Sequence, residues 1–170
     1  MNKMKVRKNT LGKFTAILGK RLRKRLEGCE VYYDHGDSSS RIPVYFGDYS
    51  RKNILSFVDI VVLKDGDVKI VCEIEETAST PKKVLGDLVS ILLGEKIRCG
   101  GTDYLLSSPA IVIGLQAKEK GVKDNQISGM LDRLSRVFNL DLEMTTLVFS
   151  EKPEELINNV EKSVMEFLEK

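Results

Sequence analysis

A chain of 170 residues is long enough for one domain with a substantial core and too short for two, so residues 1–170 are expected to form a single domain. Its 42% hydrophobic and 31% charged residues exclude a mostly disordered polymer, and no apolar run reaches the roughly 20 residues that a membrane span needs. The net charge of +2 hides an asymmetry: ten basic residues, Lys3 to Arg25, precede the first acid, Glu27, whereas the tail is mainly acidic. The basic start is not followed by an apolar signal core, which makes the cytoplasm the expected compartment.

Residues 1–9 are expected to be a flexible basic arm. Leu11, Phe14, Ile17, Leu18, Leu22 and Leu26 recur at helical spacing, which predicts a helix over about 10–27, closed by Gly28. Its other face carries Lys20, Arg21, Arg23, Lys24 and Arg25, a charge run that suits a polyanion such as nucleic acid. The plainer reading is a solvated helix surface. A short strand over 30–33, a polar loop over 34–41 and an extended segment over 42–46 follow, with Pro43 arguing for a sheet edge. Residues 54–63 and 68–75 form a predicted hairpin turning at Lys64-Asp65-Gly66-Asp67.

Next, Ser79 or Thr80 caps a helix with Pro81 in its first turn and Val84, Leu85, Leu88, Leu92 and Leu93 as its buried stripe, ending near Cys99. The apolar run 110–115 predicts a strand buried on both faces, 118–124 a charged loop, 125–138 a helix, 144–149 a strand and 153–168 the closing helix. This order predicts an α/β fold: one layered domain with a central mixed β-sheet flanked by helices, antiparallel around the hairpin and parallel in its last strands.

Three acids interrupt the predicted hairpin: Asp59 in its first strand, Glu73 and Glu75 in its second. Asp and Glu are poor strand formers, and buried acids are costly unless paired or bound to metal. Alternation puts Lys69, Val71, Glu73 and Glu75 on one face, and Val68, Ile70, Cys72 and Ile74 on the other. Whether Asp59 joins the glutamates depends on parity. A plain two-residue Asp65-Gly66 loop sends Asp59 and Glu73 to opposite faces, whereas a three-residue loop, or a bulge at Gly66 or near Asp59, sets them opposite each other. The odd register is the expectation.

Asp59 in a strand, then Glu73-Ile74-Glu75 at the end of the next, then a helix opening at Pro81, resembles the PD-(D/E)xK nuclease superfamily. The chain departs from its pattern at Val58, where the family often has Pro, and at Glu75, where most members have the catalytic Lys. Some restriction endonucleases use Glu there, and in parts of the superfamily the lysine moves to the following helix, which makes Lys82 and Lys83 the candidates. The resemblance implies a restriction-endonuclease-like fold and a Mg²⁺- or Mn²⁺-dependent DNA endonuclease that leaves a 5′-phosphate. Asp59, Glu73 and the carbonyl of Ile74 would hold the metal, with Glu75 accepting a proton or aiding a second metal. An acid near the end of the first helix often completes such sites, and Glu27 and Glu30 are the nearest here.

Double-stranded or branched DNA is the expected substrate, and a cutter of symmetric sites would work as a homodimer. The alternative is a catalytically inactive nuclease-fold module that binds nucleic acid or a protein partner. Other chemistries have less support. Cys29, Cys72 and Cys99 are widely spaced and lack metal-site patterning. His35 with Ser38, Ser39 and Ser40 lacks a nucleophile elbow, and Gly100-Gly101 lacks the Lys-Ser/Thr of a phosphate loop and reads as a turn.

Overall fold

Strand β5 (Asp67–Glu75) is the spine of the molecule, because its two faces feed two separate cores. The computed structural model describes residues 12–35, 41–75, 81–116, 124–138 and 142–169. The expected basic arm, the serines of the 34–41 loop, the Ser79 or Thr80 cap and residues 118–123 lie outside them. A five-stranded mixed sheet runs in the order β1 (Cys29–Tyr33), β4 (Ile60–Lys64), β5, β8 (Ala110–Gln116) and β9 (Thr145–Ser150). It is antiparallel from β1 to β5 and parallel from β5 to β9. Helices α1 (Lys13–Arg25) and α4 (Pro153–Leu168) cover one face, where Leu18, Leu22, Ile70, Cys72, Leu156 and Val160 interlock. Each such fully buried aliphatic side chain contributes roughly 1.5–3 kcal/mol.

The other face meets a second sheet that the sequence pattern did not announce. It is four-stranded, in the order β3 (Ile54–Val58), β2 (Ile42–Tyr45), β6 (Lys96–Cys99) and β7 (Thr102–Leu105), and shares its core with α2 (Pro81–Leu93) and α3 (Asp124–Phe138). Four expectations are corrected on this side of the molecule. The predicted strand 54–63 is two strands in different sheets, parted at Asp59. The helix expected to reach Cys99 stops at Leu93: a Cβ on Gly94 would lie 2.2 Å from Val44 Cγ1, so the chain turns against β2 and Lys96–Cys99 becomes a strand. Gly100 and Gly101, both with positive φ, then form the two-residue turn into β7. In α2 Ile91 is buried and Leu93 exposed, the reverse of the predicted stripe. Finally, β2 is internal rather than an edge, and Pro43 is tolerated because β6 pairs only with Val44 and Tyr45.

The β4–β5 hairpin has the odd register. Lys64 pairs with Asp67 across the two-residue turn, as a plain loop requires, but Lys69 then bulges out and Ile60 pairs with Cys72. The bulge lies at Lys69 rather than at Gly66 or Asp59. It also carries Val68 to the face of Val71, in the second core, instead of the face of Ile70. Asp59, one residue before Ile60, is thereby level with Glu73, one residue after Cys72.

Candidate active site

At the carboxyl end of β5, Asp59, Glu73, Ile74 and Glu75 line a cleft of about 250 Å³ together with Lys83 and Asp87 of α2, Thr15 of α1 and the Gly12 that precedes that helix, His35 and Phe57. Each wall has a local cause. Asp59 marks the point where the chain leaves one sheet for the other, and it is held on two sides: its carbonyl accepts the Asp34 N–H, and its Oδ2 accepts the Ile74 N–H, both at 2.8 Å. The N–H and C=O of a strand residue leave by the same edge, so the Ile74 carbonyl is turned toward Asp59 as well. Glu73 and Glu75 project from β5 on the side where α2 packs. Lys83 and Asp87, one helical turn apart, flank the buried Val84 and Leu88. His35 has a φ of 59°, and its ring fits against Gly12, where a Cβ would come within 2.2 Å of the imidazole.

The electrostatics are those of crowded acids. Glu73 is 6% exposed, and burial, aided by the charges of Asp59, Asp87 and Glu75, pushes its carboxyl well above the usual range. Burial also raises Asp59 to about 6, against the bond from Ile74, and raises Asp87 to about 6, helped by the charge of Glu75. Asp87 Oδ2 is buried without a hydrogen-bond partner among the described residues. Lys83 pairs with Glu75 Oε1. Burial would lower its pKa, but that bond and the surrounding acids raise it instead, so Lys83 is a fixed cation.

No family model, curated protein or solved structure matches the chain.

Of the sequence-predicted residues, the fold brings Asp59, Glu73, Ile74, Glu75 and Lys83 together. Lys82 is exposed and outside the cleft. Glu27 and Glu30 do not reach it: both are exposed, Glu30 accepts a bond from Tyr32 at 2.9 Å, and the Cys29 end of β1 is level with Lys64, the far end of the hairpin. The additional acid is Asp87. Its signal in the sequence was its place four residues after Lys83 on a helix that follows the acidic strand.

The basic run on α1 is partly engaged within the fold. Arg21 donates to Asn158 at 2.8 Å, Arg21 and Arg25 flank Glu161 at 3.6 and 3.2 Å, and Arg23 donates to the Val31 carbonyl at 2.9 Å while lying over the Tyr33 ring. Lys20 and Lys24 are exposed. The run sits toward the C-terminal end of α1, whereas the cleft is at its N-terminal end.

A larger hollow of about 600 Å³ lies at the opposite end of the sheet, beside Lys64, Asp67, Lys69 and Ala110. There Asp67 is already neutralised by Lys69 at 2.9 Å. Parallel strands present ligands at their carboxyl ends, which favours the smaller, acidic cleft.

Among the described residues, no three His, Cys, Asp or Glu side chains are grouped so as to hold a metal ion as they stand. Mg²⁺ does not require three: it keeps several waters and is commonly bound through one or two carboxylates. The donors here are all hard oxygens. The raised carboxyls and the unpartnered Asp87 oxygen are what a cation would relieve, so the residues fit Mg²⁺ or Mn²⁺.

Proposed function

We propose that the protein is a metal-dependent DNA endonuclease with a restriction-endonuclease-like arrangement, and that the acidic cleft is its catalytic centre. The observation that carries this reading is the meeting of Lys83 with Glu75 in the cleft that Asp59 and Glu73 line. The lysine missing from the strand is supplied by the next helix.

Asp59, Glu73 and the Ile74 carbonyl would hold the metal. The bound ion would lower the pKa of a coordinated water and neutralise charge on the phosphate. Lys83, kept protonated by Glu75, stabilises the negative charge that builds on the phosphoryl oxygens as water adds and the bond to the leaving 3′-oxygen breaks. A cation so firmly protonated is an electrostatic clamp rather than a base. Glu75 orients it and would take the proton of the attacking water. Asp87 adds a further acid on the α2 side.

Supercoiled plasmid with Mg²⁺ or Mn²⁺ tests the reading. Nicking is expected with the wild-type protein and is lost with EDTA and with Asp59→Ala or Glu73→Ala. Plasmid that is bound at low salt but never nicked would instead support the non-catalytic binding module, which Glu75 at the lysine position favours.

A further inference from the structure

We infer that Phe57 and Arg41 form a base-stacking wall at the lip of the acidic cleft, and that the strand entering it is single-stranded or frayed DNA. The inference rests on the nuclease reading for the place of the phosphate, but on separate residues for the place of the base. Phe57 lines the cleft with Asp59 and is 42% exposed, so its ring can be reached from solvent. The Arg41 guanidinium stands 5.1 Å from its ring centre, a cation–π arrangement that also places positive charge where a backbone phosphate would pass.

The feature recurs along the same face of the second sheet. Phe57 is level with Pro43, Tyr45 with Lys96, and Arg98 with Asp103, on the face opposite the core of Val44, Val58 and Ile97; Pro43 and Tyr45 are themselves buried there, Tyr45 against the ring of Tyr49. There Arg98 lies 4.1 Å from the ring of Tyr49, which is 46% exposed. Arg51 and Lys52 are exposed in the same loop. Arg98 is paired with Asp103 at 2.8 Å, and the remaining Arg41, Arg51, Lys52 and Lys96 outnumber Asp48 and Glu95, a surplus that favours a polyanion.

A duplex keeps its base faces stacked and offers only groove edges, whereas an unpaired strand exposes the faces that aromatic rings accept. Phe57 has no polar atom with which to read an edge. Its contribution is therefore tolerant of sequence and selective for unpaired bases.

Fluorescence anisotropy in EDTA, with a labelled oligothymidine and a labelled duplex of equal length, tests this on the intact protein. Phe57→Ala is expected to weaken single-strand binding roughly tenfold, to leave duplex binding within about twofold, and to keep the melting temperature; Phe57→Trp restores the single-strand affinity. Unchanged single-strand binding in Phe57→Ala, or an equal loss on both ligands, overturns the wall. Cleavage is read separately. A protein that never nicks but needs Phe57 for single strands ends the nuclease reading and retains the wall, and a nuclease whose binding ignores Phe57 does the reverse.

Discussion

Glu73 on β5 and Glu161 on α4 are almost equally buried, at 6% and 4% exposure, in opposite surroundings. Glu161 is flanked by Arg21 and Arg25 of α1, an ion-paired clasp that docks one helix on another, although its buried Oε1 takes charge contact from Arg25 without a hydrogen bond. Glu73 faces Asp59, Asp87 and Glu75, with Lys83 already engaged by Glu75. Burial alone thus says little about role. A buried acid answered by arginines serves the fold, and one answered by other acids works against it until a cation arrives.

The comparison breaks most visibly at activity. Glu73→Gln is expected to lower plasmid nicking on the order of a thousandfold, while in EDTA at neutral pH it melts no lower than wild type, because an acid that resists ionisation is replaced by a neutral amide. Glu161→Gln leaves the nicking rate unchanged. Lys83→Met should cost roughly a hundredfold in kcat, with a small fall in melting temperature because the ion pair with Glu75 is lost.

The fold side is sharpened by Glu161→Ala, which urea denaturation should show to be about 1–2 kcal/mol less stable with cleavage intact; the freed arginines are 43% and 64% exposed and can hydrate. The smallest effect concerns pH. Asp59 and Asp87 hold protons up to about 6 in the folded protein against 3.8 ordinarily, so the native state binds more protons than the unfolded chain between those values. Stability from these groups is present at low pH and is lost as pH rises through about 6. The metal-free protein should therefore melt higher near pH 5 than at neutral pH, as followed by circular dichroism, and Asp87→Asn or saturating Mg²⁺ should narrow the gap.

How much of this was legible in the chain depended on the range of the interaction. The closing helix matched its predicted bounds, Pro153–Leu168, because sixteen residues carry a clear apolar stripe and Pro starts them. Parity leaves both registers open, and the odd one that was expected is the one found, but the bulge at Lys69 follows from which face each valine must enter, a tertiary matter. Strands of four residues such as Lys96–Cys99 are too short to declare a period, and Ile97 and Cys99 looked like the tail of a helix. The acids on β5 stood out as residues ill suited to strands. Asp87 did not, since an acid on a helix is ordinary until the strand beneath it is known, and the arginines of α1 resembled a binding run until α4 supplied Glu161.

Calorimetric titration of Mn²⁺ into wild-type, Glu73→Gln and Glu161→Gln proteins at neutral pH is the most direct test that the acidic cleft is a metal centre. The account predicts saturable binding in wild type and Glu161→Gln and its loss in Glu73→Gln. Wild-type protein that takes up no Mn²⁺, or binding that survives Glu73→Gln undiminished, would contradict it.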